Sequence, residues 1–351
     1  MNRKIPLSLI SFLFAIHQLS FGQVEVREDS IIIPTYVAGD PNPMPRYYEG
    51  TTHQGVQRRI YPYPMNDMLS DNKEDRNYHI IRVENEFIEL GIMPRLGGRI
   101  YYAVDKSNDY VWFYRNHVIK PSLIGMVGFW ISGSNAWGFP HHHGPNTVKP
   151  MDYNIEEHPD GSKTIWISNT DRRHRMRIMI GYTIYPNSSI VEMTIKPSNR
   201  TAVANSFLFW ANPSVHVDTT YQVIFPPSVQ YVTQHAKREM TTWPVADGTY
   251  NRFEYTNVNI SMWKNIGVPS SFFSWDPKED YFGGYDHGKE AGTAWVGNHH
   301  IMPGMKFWAW GNNPGGDRVN SRLTDDDGHY IELMAGMYTD NQPDYSWIQP
   351  Y

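Results

Sequence analysis

Apolar residues alternate with a period of two over residues 176–195, and this is the feature that most constrains the chain. Met176, Ile178, Ile180, Tyr182 and Ile184 recur at every second position, the spacing that places side chains on one side of an extended strand. Pro186, Asn187 and Ser188 then supply a turn, and Val191, Met193 and Ile195 resume the alternation against Glu192, Thr194 and Lys196. Two such runs around a turn predict an antiparallel hairpin with one buried face. Residues 78–83, 86–92, 99–104, 164–168, 206–210 and 330–334 are further strand candidates, separated by Gly, Pro, Asn and Asp. No dozen-residue window carries a helical stripe, so an all-β antiparallel sandwich is expected rather than a parallel sheet with helices.

The first 22 residues read as a secretory signal. Arg3 and Lys4 precede a short, mainly apolar run from Ile5 to Ile16, followed by Ser20, Phe21 and Gly22. That run is too short to span a bilayer, and no later stretch of about 18 apolar residues exists. An exported protein, periplasmic or secreted, without a membrane span is therefore expected. The sequence has no cysteine, which excludes disulfides, thiolate metal sites and a cysteine nucleophile. Residues 23–76, rich in Pro, Asn and Asp, read as an extended N-terminal arm packed on the sandwich, and residues 77–351 as the sandwich itself. The net charge of −5 is spread without a basic block, which argues against nucleic acid as a partner. The 12 Trp and 23 Tyr offer flat apolar faces with polar edges, suited to a sugar, although a large β core also uses such residues.

Candidate chemistry falls in five places. Gly97 and Gly98 permit a tight turn before Arg99, which binds a ligand or pairs with a carboxylate. The segment 131–140, with Trp137, leads into His141, His142 and His143. Adjacent residues of an extended chain point to opposite sides, so the three cannot share one metal ion without a sharp turn. One or two of them are read instead as hydrogen-bonding groups in a cleft. Asn212 and His216 lie where an apolar strand ends, suited to a ligand or to a satisfied core position. Asp286 is either a ligand group or a turn residue bonding its own backbone. The stretch 303–344 carries the Trp308 and Trp310 pair, the acidic run Asp325, Asp326 and Asp327, then Glu332 and Asn341. The acidic run is read mainly as turn-forming, since the spacing of a helix-loop-helix calcium site is missing. If 330–334 is a strand, Glu332 shares a face with Tyr330 and Met334, and partial burial there would raise its pKa toward neutrality. A solvent-facing strand glutamate is the alternative.

Eight motifs occur in order: GGRI, PHHHGPNT, FWANPSVH, VIFPPSVQYVTQH, FGGYDHG, PGMKFWAWG, LTDDDGHYIELMAG and YTDNQPDYSW. From about Asn77 onward the chain thereby resembles a bacterial family labelled domain of unknown function 5107, itself similar to the galactose mutarotase-like β-supersandwich. The resemblance implies a glycan, an oligo- or polysaccharide, on the concave sandwich face. It casts Glu332 as base, His216 as acid and Asp286 as the group holding sugar hydroxyls, with Arg99 and one of His141, His142 and His143 binding the sugar ring or orienting the acid. Trp137, Asn212, Trp310 and Asn341 are further residues expected to bind substrate. No metal and no cofactor are expected. Ala136 and Gly138 stand where the family is expected to carry an acidic residue and an amide. Relatives of the family commonly run on into further, often helical-repeat sequence, and from the resemblance a short paralogue or a truncated product is expected. Three functions stay open: a glycoside hydrolase, an aldose epimerase or mutarotase, and a noncatalytic carbohydrate-binding protein.

Overall fold

A computed structural model describes residues 22–44, 46–47, 60–61, 63–125, 127–141, 143–144, 147–338 and 345–351. The architecture is all-β. A 12-stranded antiparallel sheet forms its spine. Its strands run in the order Glu25–Ala38, Leu69–Glu84, Ile88–Met93, Arg99–Asp105, Asn135–Gly138, Trp210–Val217, His329–Gly336, Gly304–Ala309, Ser270–Ser274, Tyr231–Thr233 and Met240–Thr242, with Tyr110–Val111 beside Arg99–Asp105. The hairpin expected at 176–195 is present as Met176–Ile184 paired with Val191–Asn199. It belongs to a four-stranded sheet completed by Asp152–Glu157 and Lys163–Thr170.

Two small sheets cover one face of the spine and account for the alternation. Ile165, Ile178, Ile180, Tyr182 and Ile184 of the four-stranded sheet pack on Val83, Leu90, Ile92, Trp137 and Ala211 of the spine. A three-stranded sheet, Tyr221–Ile224, Tyr281–Asp286 and Ala291–Val296, contributes Tyr221, Val223 and Phe282 against Val215, Phe272, Phe307, Ile331 and Leu333. Burying a side chain of this kind is worth about 1.5–3 kcal/mol relative to exposure, so each spine strand is pinned with one set of alternate residues toward these sheets. The other set necessarily faces the opposite side. That opposite side holds the candidate site.

The segment 23–76 differs from the expected arm in its described part. Glu25–Ala38 pairs antiparallel with Leu69–Glu84, with Glu25 opposite Glu84 and Tyr36 opposite Lys73, so it is the edge strand of the spine. A long extended segment satisfies its backbone donors and acceptors best by joining a ladder. Cross-strand ion pairs reinforce this one, Arg27 with Glu84 at 3.0 Å and Arg82 with Asp29 at 2.9 Å.

Candidate functional site

Glu332 is the centre of the arrangement. In strand His329–Gly336, Ile331, Leu333 and Ala335 enter the core beneath the three-stranded sheet, so Tyr330, Glu332 and Met334 face the other way. Trp308 stands directly opposite Glu332 on one neighbouring strand, with Lys306 opposite Met334. On the other neighbour Ser214 stands opposite Glu332 and His216 opposite Tyr330. Opposed residues share a face, so three adjacent strands bring Trp210, Asn212, Ser214, His216, Lys306, Trp308 and Glu332 to one side. Ser271 and Phe273 join them through their register with Trp308 and Lys306.

Both ionisable groups at the centre are buried: Glu332 is 4% exposed and Lys306 is 4% exposed. Burial pushes the Glu332 carboxyl up from the ordinary carboxylate range, opposed by the Lys306 charge and by the Asn212 side chain against it. Burial likewise pushes Lys306 down, opposed by Glu332. The two feel each other's charge yet form no ion pair within 4.0 Å among the described residues. Lys306 Nζ lies instead 3.4 Å from His235 Nε2, and His235 Nδ1 is 2.5 Å from Ser271 Oγ. The His143 imidazole is pushed down to about 4 by burial and by the nearby Lys306, so it is neutral at pH 7. Its ring meets Trp130 at 5.7 Å and Trp210 at 5.1 Å, both edge-on.

This cluster leaves several polar atoms unused. Trp130 Nε1, His143 Nδ1, Asn212 Oδ1, Trp308 Nε1, Trp310 Nε1 and the Tyr330 hydroxyl are buried without a well-formed hydrogen bond among the described residues. The Tyr330 hydroxyl lies by the Trp310 indole and the Ser132 hydroxyl, and Trp308 and Trp310 meet edge-on at 5.2 Å. Buried polar groups are nearly always satisfied, and each one left without a partner costs about 1–3 kcal/mol. Donors and acceptors gathered around a buried carboxyl and ammonium, with aromatic walls, match the requirements of a polyhydroxylated ligand.

The remaining sequence-expected residues distribute as follows. His216 shares the face with Glu332 but packs its ring on Tyr114 at 4.5 Å, and Tyr114 stacks on Tyr330 at 4.8 Å. Burial and the Lys289 charge push His216 down to about 4. It is thus a neutral imidazole beside Tyr330. His141 sits in a neighbouring group, 4.6 Å from the His174 ring and 5.2 Å from that of Tyr345. Trp137 turns the other way, into the core under the four-stranded sheet, where Nε1 donates to the Gly97 carbonyl at 2.9 Å. It does not line the Glu332 face. Arg99 is fully engaged as a staple, donating to the carbonyls of Leu96, Ile131 and Thr147. Asp286 accepts from Thr220 Oγ1 and from the backbone N–H groups of Gly288 and Lys289. That is the turn reading of its sequence. His142 and Asn341 lie outside the described residues. Ala136 and Gly138 stand opposite Asn212 and Trp210, so both positions belong to this same face.

Sequence reasoning passed over Lys306 and His235, although the signal for Lys306 was there. Lys306, Trp308 and Trp310 follow one another at alternate positions of PGMKFWAWG, which places the lysine on the tryptophan face.

The model of a family described as domain of unknown function (DUF5107) matches residues 56–350. Among solved structures, a TPR-domain containing protein from Parabacteroides distasonis superposes with a TM-score of 0.80 at 21% identity, over 93% of this chain and 53% of that one. The chain thus spans about half the length of that protein. A galactose mutarotase-like protein from Clostridium acetobutylicum matches with a TM-score of 0.52 at 12% identity, covering 78% of this chain and 91% of that one. A putative aldose 1-epimerase from Klebsiella pneumoniae matches at 0.53 and 9%, covering 78% and 76%. At these identities the likeness is one of fold.

Proposed function

The chain belongs to the DUF5107 family, and from that premise we propose that it binds a sugar on the Glu332 face and transfers protons at its anomeric centre, as an aldose 1-epimerase does. The observation that carries this reading is the buried Glu332 carboxyl ringed by polar atoms without partners. A carboxyl raised by burial both accepts and returns a proton near neutral pH, the requirement for a general base that must also act in reverse. Trp308 and Trp310 supply the apolar wall for a sugar ring. The galactose mutarotase-like fold supports a carbohydrate ligand by analogy.

Hydrolysis fits the geometry less well. It requires a second carboxyl group about 5–10 Å from the first. Asp286 is tied into its turn, Asp325 is bonded to Tyr36, Lys73 and Lys120, and Asp327 to His117 and Thr324. Among the described residues, Glu332 is the only carboxylate that the strand register brings to the central cluster.

Polarimetry on freshly dissolved α-D-galactose and α-D-glucose tests the reading. Faster approach to anomeric equilibrium with wild-type protein, abolished by Glu332→Gln while calorimetric binding persists, supports it. Binding without acceleration contradicts it in favour of a noncatalytic binding protein, and release of new reducing ends from a polysaccharide panel contradicts it in favour of a hydrolase. We also propose export to the periplasm or exterior, supported by the segment 1–22. N-terminal sequencing of protein recovered outside the cytoplasm should then begin near residue 23, and an intact Met1 would contradict it.

A further inference from the structure

We propose that Lys306, rather than His216, is the proton donor that works opposite Glu332. This assignment rests on the epimerase-like reading above and names the second group of the same site. Ring opening at an anomeric centre needs one group to take the proton from the anomeric hydroxyl and another to protonate the ring oxygen. The two must stand on either side of the sugar and close to it.

The strand register supplies such a pair. Lys306 opposes Met334, two residues from Glu332 along its strand, so the two side chains are diagonal neighbours on one face. Diagonal neighbours of a sheet have their Cα atoms about 7–8 Å apart. That separation agrees with the mutual electrostatic influence of the two groups and with the lack of an ion pair within 4.0 Å.

His216 is less suited to the task. It opposes Tyr330 rather than Glu332, stands against Tyr114, and as a neutral imidazole at pH 7 is a weak proton donor. The ionisable groups facing Lys306 from the surrounding elements are Glu332, His143 and His235. Since His143 is neutral at pH 7 and His235 Nε2 lies where it accepts from the ammonium, Lys306 is the group with a proton to give. Burial, which pushes Lys306 down, makes it a better acid near neutral pH.

The steps balance. The Glu332 carboxylate takes the anomeric hydroxyl proton, and the O–H electron pair becomes the second C1–O1 bond as the bond from C1 to the ring oxygen breaks. The ring oxygen takes a proton from the Lys306 ammonium. After rotation about the C1–C2 bond, closure on the other face of C1 returns both protons, so nothing is oxidised or reduced.

The test compares wild type, Lys306→Met, Lys306→Arg and His216→Asn on α-D-galactose and α-D-glucose, reading kcat, KM, pH profile and melting temperature. With wild type active, Lys306→Met is expected to lose about 10²–10⁴-fold in kcat and the alkaline limb of its pH profile. Lys306→Arg keeps the charge and the fold but cannot release its proton at these pH values, so it should bind sugar and turn over as poorly as Met. His216→Asn should lose less in kcat than Lys306→Met does, and a loss as large as that of Lys306→Met would overturn the assignment. Retained kcat in Lys306→Arg, or an alkaline limb that survives in Lys306→Met, would overturn the assignment. Inactive wild type overturns the epimerase-like reading itself and with it this role.

Discussion

Lys306 Nζ and His235 Nε2 approach to 3.4 Å. An ammonium only donates, so the imidazole accepts at Nε2 and its Nδ1 proton points to Ser271 Oγ, 2.5 Å away. His235 therefore favours the charged form of Lys306. Replacing it by Phe removes the acceptor while keeping a flat ring against Phe273 and Trp308, which His235 meets at 5.1 and 5.9 Å. The expected outcome is an alkaline limb moved to lower pH with the acid limb unchanged, measured on the profile of kcat. An unmoved limb would show that His235 does not act on Lys306.

Trp137 is a core residue here, and its variant separates fold from function. Trp137→Phe leaves the Gly97 carbonyl without its donor, which costs about 1–3 kcal/mol for a buried acceptor. Urea denaturation should show that loss, and calorimetry should show unchanged sugar affinity. A large loss of affinity with full stability would return Trp137 to the site.

Arg99 makes a similar prediction with a larger effect. Its buried guanidinium lies against three backbone carbonyls at 3.1, 3.2 and 2.8 Å, and burial pushes its pKa down to about 10. Arg99→Met strands those carbonyls and should destabilise the fold by about 3 kcal/mol or more. The check is the denaturation midpoint. A stable variant with impaired binding would instead mark Arg99 as a ligand group.

Asp325 fastens the Glu25–Ala38 and Leu69–Glu84 edge to the loop before strand His329–Gly336, through Tyr36 at 2.7 Å and Lys73 at 2.8 Å, and also accepts from Lys120, outside that edge, at 2.9 Å. Partial burial pushes its carboxyl up, but the hydrogen bonds from Lys73, Tyr36 and Lys120 outweigh this and hold it well below the usual range. A depressed folded-state pKa stabilises above the unfolded value of about 3.9 and loses that stabilisation as pH falls through the folded value. Asp325→Asn should therefore melt below wild type at pH 7. Below about pH 4 the difference should narrow. A difference constant with pH would contradict this account.

The fold was legible because its signal repeats. From Met176 to Ile184 five residues in step fix one buried face, whereas residues 330–334 are buried on both faces and their alternation tells only which of them share a side with Glu332. The strand Asn135–Gly138 is only four residues long, too short for alternation to tell which face Trp137 takes, and the surrounding Ser134 and Phe139 do not decide it. Asp286 was readable either way, since a carboxylate after Gly283 and Gly284 suits a ligand or a turn equally. Lys306 was passed over because a lysine in a strand is ordinarily a solvated edge residue. Only the register with Met334 and the nearness of His235 show it buried.

The central claim is that the Glu332 face holds the sugar, and a crystal grown with α-D-galactose tests it most directly. The account predicts the ring against Trp308 and Trp310, with its anomeric oxygen within hydrogen-bonding distance of Glu332 and its hydroxyls on the Asn212 Oδ1 and His143 Nδ1 atoms, which have no hydrogen-bond partner among the described residues. Sugar bound elsewhere on the molecule, with Glu332 and these polar atoms untouched, would contradict it.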